Sequence, residues 1–297
     1  MAADVSATAG DDRIGNYRFV RVLQMGQNSA IMEVAQEGTG KRFAMKQLLP
    51  SKSEDRQERK VFAFEAKLGQ ELRHPNLGRV HEFVNDKYQP YFVMDYFVSV
   101  TLRQVIGRPM EHALPKGRSH TVIRQSAEAL AYMHEKGWAH RDIKPENMLV
   151  NRSGEVRLID YALAKRIPKG LAKVFSMKPP REGTYSYIAP EVILRQPPSA
   201  LADIYSFGIT CYEIGCGRQP FRANSPQELL TKHVSDKAIP PTTYNPNVTK
   251  EFSDIVMKMI QKKPQDRIQD LREFASHFAR IRILKDDPDP LGDRLSM

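Results

Sequence analysis

A chain of 297 residues with 41% hydrophobic and 27% charged content is long enough for one large domain or two lobes of ordinary size, and no apolar run approaches the roughly 18–20 residues of a membrane span. Its first fifteen residues are acidic and lack an apolar core, and its two cysteines, Cys211 and Cys216, lie close together in one apolar stretch; neither a secretory signal nor a disulfide or metal site is read there, and a reducing cytoplasm is the expected compartment. The net charge of +10 admits nucleic-acid binding, but the basic residues do not interleave with aromatics on one patch, so a solvated basic surface is the better reading, with no nucleic-acid partner and no membrane anchor expected in this chain.

Residues 1–15 are small and polar and are expected to be disordered. From Tyr17 to Gln24 the residues alternate as a strand does, a turn follows at residues 25–29, and Ala30–Val34 makes a second strand. Phe43-Ala44-Met45-Lys46 is an apolar strand ending in a lysine, which is costly to bury without a partner. Residues 54–73 are rich in helix formers and offer that partner in Glu65. Two more strands are read at Gly78–Val84 and Pro90–Tyr96, closing a β-rich region near residue 97. Helical patterns then run through residues 101–137, broken at Gly107-Arg108-Pro109 and Pro115-Lys116-Gly117.

The chemistry concentrates in His140–Val150, a charged loop between a helical stretch and the apolar run Met148-Leu149-Val150. An Asp such as Asp142 can accept a hydroxyl proton, the Asn147 carbonyl five residues on can ligate a hard cation, and Lys144 between them can neutralise phosphate charge. Leu158-Ile159-Asp160 puts another carboxylate after an apolar run. Residues 162–181 carry six basic residues, no acid and several prolines and glycines, which argues for a long functional loop. The stretch ending at Cys216 is apolar nearly all round, as a helix buried at the centre of a lobe should be.

Taken together these segments resemble the protein kinase family. The residues that carry the resemblance are Phe43-Ala44-Met45-Lys46, Glu65 nine residues before His74-Pro75-Asn76, His140-Arg141-Asp142-Ile143-Lys144-Pro145-Glu146-Asn147, Asp160, Gly183-Thr184 through Ala189-Pro190-Glu191, Asp203-Ile204-Tyr205-Ser206-Phe207-Gly208, and Arg267. Phe221–Pro241, with His233-Val234 and a double proline, is most similar to bacterial eukaryotic-like (Hanks-type) Ser/Thr kinases. The resemblance implies an α+β, bilobal fold over residues 16–283. A small β-rich lobe with one main helix would span 16–97, a mostly helical lobe 98–283, and a polar tail 284–297.

The same resemblance implies transfer of the ATP γ-phosphate to Ser or Thr hydroxyls of protein substrates, with Mg²⁺ (Mn²⁺ an alternative). It makes Asp142 the base, with Lys144 and Thr184 beside it, and assigns the metal to Asn147 and Asp160. It has Lys46, held by Glu65, position the phosphates. The nucleotide would also meet Leu23, Gln24, Met25 and Gly26 of the first turn, then Ile31, Ala44 and Leu149 around adenine, Met94 as gatekeeper, and backbone groups of Asp95 and Phe97. Glu191, Asp203 and Arg267 would be structural ties, Glu191 pairing with Arg267. Ser176 would be the regulatory phosphosite, with Arg141 receiving its phosphate and a dimer serving autophosphorylation. The basic loop suggests acidic substrates. The chain departs from the family pattern at Gln24 and Ser29 (two missing glycines), at Ala162, and at Gly69 in the main helix. These departures keep a second reading open, a pseudokinase serving as a nucleotide-binding or scaffold module, although every residue with a chemical role is present.

Overall fold

The computed structural model describes residues 12–107, 114–168 and 182–290. The chain divides into two compact units, the first made of the residues up to 73 with 78–98, the second of 74–77 with the residues from 99 onward.

The first unit is a six-stranded antiparallel sheet and one long helix. Its strands are β1 (Arg13–Ile14), β2 (Tyr17–Met25), β3 (Ser29–Gln36), β4 (Arg42–Leu48), β5 (Val80–Val84) and β6 (Tyr91–Asp95), in the spatial order β1-β2-β3-β4-β6-β5. Alternation assigns the faces. Met32, Val34, Phe43, Met45 and Val93 form one core layer with Tyr17 and Tyr91. Their neighbours Leu48, Phe92 and Val80 form another with Phe62 and Ala66 of the helix α1 (Arg56–Glu71). Asp55 starts α1 by accepting the N–H groups of Gln57 and Glu58, satisfying donors that the first turn leaves unpaired.

Part of the expected disordered segment 1–15 is ordered. Arg13 and Ile14 pair with Arg18 and Tyr17 across a turn at Gly15. Gly15 has φ +58°, and a Cβ there would run into the Tyr91 hydroxyl, so the turn depends on glycine. Residues 74–77, expected in the small lobe, belong with the second unit instead. Asn76 donates to Gln125 Oε1 and to the Val156 carbonyl, and Leu77 bridges to Leu158.

In the second unit β7 (Val100–Thr101) leads into α2 (Leu102–Gly107), and α3 (Arg118–Glu135) precedes β8 (Trp138–Ala139). The strands β9 (Met148–Val150) and β10 (Val156–Leu158) form a hairpin that β7 extends, and β11 (Lys165–Arg166) pairs with β8. After the short α4 (Pro190–Ile193), α5 (Ala200–Cys216) runs through the interior with Ile204, Tyr205, Phe207, Ile209, Cys211 and Tyr212 all buried. Burial pushes the Cys211 thiol far up, so it is an inert core side chain. Gly208 lets α8 (Lys250–Met259) approach; a Cβ at Gly208 would come within 2.7 Å of the Met259 side chain. The helices α6 (Pro226–Ser235), α7 (Pro241–Tyr244) and α9 (Leu271–Phe278) complete the unit.

The expected polar tail also begins later than residue 284. Leu284 bridges to Val248, and the Lys285 N–H donates to the Asn247 carbonyl. The buried Asp287 accepts N–H groups from Gly117 and Leu284. A polar sequence docks here because its carboxylate satisfies backbone donors that would otherwise be orphaned.

Candidate active site

In the first unit, strand register decides which residues can meet. Lys46 pairs with Phe92 across β4 and β6 and so shares the face that α1 covers. On α1, Glu65 falls between Phe62 and Ala66 on the buried stripe. Lys46 Nζ consequently donates to both Glu65 carboxylate oxygens, each at 2.7 Å. Ile31 lies opposite Lys46, and Ala44 lies opposite Met94, all on that one face. The turn with one glycine closes as a hairpin in which the Gly26 N–H donates to the Ser29 carbonyl at 2.9 Å, with Gln24 opposite Ile31. Leu23 and Met25 on β2 are exposed. Of the backbone groups of Asp95 and Phe97 expected to face a base, the Asp95 N–H is already committed, donating to the Arg79 carbonyl at 3.2 Å. The Asp95 side chain meets His81 Nε2 at 2.6 Å.

In the second unit, Asp142 is held from three sides. Its Oδ2 accepts from Lys144 Nζ at 2.6 Å and from Asn147 Nδ2 at 3.0 Å, and its Oδ1 accepts the Thr184 hydroxyl at 3.0 Å. Lys144 Nζ also donates to Thr184 Oγ1 at 2.9 Å, so four side chains from two distant segments form one network. The β9–β10 hairpin brings the metal-ligand candidates together. The Ile159 N–H donates to the Asn147 carbonyl, which fixes Asp160 next to Asn147. Asn147 commits its amide nitrogen to Asp142, leaving the amide oxygen as a hard donor, and with the Asp160 carboxylate this set suits a hard divalent cation. Asp160 has φ +71°, a conformation that costs a non-glycine residue on the order of 1–3 kcal/mol and is held only where the surroundings demand it. Leu149 sits on the same hairpin, opposite Arg157.

The loop is anchored from below by Asp203 of α5. Its Oδ1 accepts the Arg141 N–H at 2.8 Å, and its Oδ2 accepts the His140 N–H at 2.7 Å and His134 Nε2 at 2.9 Å. Burial alone would raise the Asp203 carboxyl, but the hydrogen bond and charge of His134, with help from His140 and the Arg141 N–H, hold it below the usual carboxylate range. Glu191 and Arg267 meet as a two-pronged pair, both bonds 2.7 Å. The remaining guanidinium donors go to the carbonyls of Gln261, Leu201 and Lys262. Ser176 lies outside the described residues.

Three features were not read from the sequence. His134 supports Asp203; its only sequence signal is its place on the inner face of α3. Arg103 of α2 joins Glu146 and both oxygens of Glu213, and Tyr187 joins the same group through its hydroxyl. Burial beside Glu213 pushes the Tyr187 hydroxyl far up. Glu182 pairs with Arg141, and its signal was the one acid between a long basic run and Gly183.

The family profile described as the protein kinase domain matches residues 17–278. Serine/threonine-protein kinase PknA of Mycobacterium tuberculosis (strain H37Rv) is 28% identical over 295 residues, 96% of this chain and 66% of that protein. A probable serine/threonine-protein kinase of Streptomyces coelicolor, SCO3848, is 29% identical over 266 residues, 88% of this chain and 39% of that protein. A probable serine/threonine-protein kinase of Clostridium perfringens, CPE1738, is 32% identical over 219 residues, 73% and 31% of the two chains. The chain spans less than two thirds of the length of these relatives. Among the described residues no helix is long and apolar enough to cross a membrane.

Proposed function

Since the chain belongs to the protein kinase family, we propose that it is a serine/threonine protein kinase that transfers the γ-phosphate of ATP to protein hydroxyls. The observation that carries this reading is the network around Asp142, whose two oxygens are occupied on three sides by Lys144, Asn147 and Thr184. Such a carboxylate is positioned before substrate arrives, which is the main protein contribution to phosphoryl transfer.

In this reading the substrate hydroxyl oxygen forms a bond to the γ-phosphorus, the bond from that phosphorus to the β-phosphate oxygen breaks, and ADP leaves. Asp142 orients the hydroxyl and takes its proton. Lys144 offsets charge on the transferred group. Mg²⁺, when bound, would be held by Asn147 and Asp160 and would neutralise phosphate charge. In the first unit Lys46, kept in place by Glu65, binds the α- and β-phosphates, and the β2–β3 turn with Ile31, Ala44 and Met94 supplies surroundings of the base; in the second unit Leu149 is the residue the family resemblance assigns to the base. A cytoplasmic location fits the two free cysteines, acidic protein substrates fit the basic residues that follow Asp160, and a dimer would serve autophosphorylation. A phosphate on Ser176 would have to share Arg141 with Glu182.

The test is phosphate incorporation into the protein itself and into a mixed Ser/Thr peptide library, with and without Mg²⁺. The wild type should transfer in a Mg²⁺-dependent way, and Asp142→Asn should lose on the order of a thousandfold or more. Equal incorporation by both proteins overturns the proposal.

A further inference from the structure

In the first unit one buried carboxylate, Glu33 of β3, takes no part in the chemistry described above. It is 1% exposed, and strand register puts it on the face that carries Ile31, Ala44 and Lys46. It lies opposite Ala44 on β4 and opposite Arg21 on β2, and Ala44 in turn lies opposite Met94. A carboxylate in a row of side chains assigned to the base is costly unless its oxygens are satisfied. Both are. Oε2 accepts from Arg21 Nε at 2.7 Å, and Oε1 accepts from Arg42 Nε at 2.8 Å. The two arginine side chains are 63% and 51% exposed, so they close over the carboxylate from the solvent side. Burial would raise the Glu33 carboxyl, but hydrogen bonds from Arg21, Arg42 and the Tyr96 hydroxyl hold it below the usual carboxylate range.

The contact with Tyr96 reaches furthest. Arg21 Nη2 donates to the Tyr96 hydroxyl oxygen at 3.0 Å. Tyr96 is the first residue after β6, and β6 is separated from β2 by β3 and β4, about 14 Å at the usual strand spacing. The two side chains together bridge that span and meet beside Glu33. Asp95, one residue earlier, is held from the other side of β6. Its N–H donates to the Arg79 carbonyl, and its carboxylate meets His81 of β5. The segment that leaves β6 is thus tied at two successive residues from opposite sides of the sheet, and it carries the backbone groups assigned to the edge of the base.

We infer that Glu33 is a positioning residue for nucleotide recognition, which through Arg21 and the Tyr96 hydroxyl fixes the segment from Asp95 to Phe97 at the edge of the base. The inference rests on the kinase reading above and deepens it, because it separates what sets affinity for the nucleotide from what sets the rate of transfer. Glu33 acts through its neighbours and touches neither the nucleotide nor the reacting groups. An apolar residue at this position would suit the face of the sheet, but it would leave Arg21 to swing into solvent and Tyr96 untied.

The experiment compares wild type, Glu33→Leu, Tyr96→Phe and the double variant. Binding of ADP with Mg²⁺ by calorimetry, steady-state transfer kinetics and amide hydrogen exchange over residues 95–98 are read on each. Tyr96 is half-buried and loses only a hydroxyl, so it reads the same tie independently of any change at position 33. Each single variant should weaken ADP binding and raise KM for ATP roughly 3- to 10-fold, keep kcat within about twofold of wild type, and speed exchange over 95–98. The double variant should be no weaker than the weaker single one, because both changes break one chain of bonds. Wild-type ADP affinity in both single variants overturns the inference, as does a fall in kcat with KM unchanged, and as do additive losses in the double variant. If the wild type neither binds ADP nor transfers phosphate, the kinase reading fails, yet the exchange data still decide whether Glu33 holds the segment.

Discussion

Two ion pairs expected from the sequence behave differently in the folded protein. Arg267 and Glu191 are almost wholly buried, at 0% and 4% side-chain exposure, and every donor of the guanidinium is spent on Glu191 or on a backbone carbonyl. Lys46 and Glu65 retain 14% and 7% exposure, and the lysine is a compact charge on a flexible stem. The first pair is a permanent weld between distant segments of the second unit. The second pair can rearrange, as it must if Lys46 is to share its charge with a nucleotide. Burial with full donor satisfaction marks a structural pair, and incomplete burial marks a working one.

The largest expected effect comes from breaking the weld. Arg267→Ala leaves Glu191 buried without its partner and should cost about 3–5 kcal/mol in urea unfolding. Replacing both residues together, Arg267→Met with Glu191→Leu, should restore a good part of that loss. If Arg267→Ala leaves the unfolding midpoint unchanged, the pair contributes nothing.

Breaking the working pair should do the reverse. Lys46→Met together with Glu65→Gln should lower phosphate transfer by on the order of 10²–10³-fold while costing less stability than Arg267→Ala, because neither charge is left buried alone. A variant that unfolds as readily as Arg267→Ala would erase the distinction.

The weld also carries a pH signature. The Arg267 guanidinium lies 4.9 Å from the centre of the Tyr205 ring, and Tyr205 Oη meets His233 Nδ1 at 2.9 Å. Burial, together with the nearby Lys262 charge, pushes the His233 imidazole down to about 3 from 6.5. The unfolded chain therefore binds a proton below about pH 6.5 that the folded chain refuses until near pH 3. Stability should fall as pH falls through that window, by about 2 kcal/mol between pH 6.5 and 5. His233→Phe should flatten this slope in chemical unfolding measured across pH, and an unchanged slope would show that other groups carry it.

The smallest effect sharpens the working side. Asp55→Ala removes the cap of the helix that carries Glu65 and should cost about 1 kcal/mol in thermal unfolding, with transfer reduced only slightly. A large loss of transfer without loss of stability would mean that the placement of α1 is more delicately balanced than its packing suggests.

Much of this molecule is legible from local pattern. Alternation in Tyr17–Gln24, the apolar run into Lys46 and the helix formers around Glu65 each specify an element because side-chain period and backbone geometry are linked within a few residues. The same holds for the apolar character of α5. The polar segments were harder to read. Arg13–Ile14 has the composition of a tail, but a strand edge and Gly15 order it, and residues 284–290, equally polar, dock because Asp287 accepts the backbone N–H groups of Gly117 and Leu284. Polar sequence has no period that announces a docking site, because its partners are backbone groups supplied by other segments.

By itself the sequence determined most of the elements and their order, since these follow from residue type and spacing along one chain, while the convergence of Lys144 and Thr184 on Asp142 was implied by the resemblance to the protein kinase family. Beyond Lys46–Glu65 and Arg267–Glu191, which carboxylate pairs with which cation was decided only by the tertiary structure. Arg141, expected to wait for a phosphate, already meets Glu182, Asp203 gains His134, and Arg103 gathers Glu146, Glu213 and Tyr187. The physical reason is that an ion pair inside a protein depends on burial and on the direction of approach, and both are properties of the packed molecule that no spacing along the chain encodes.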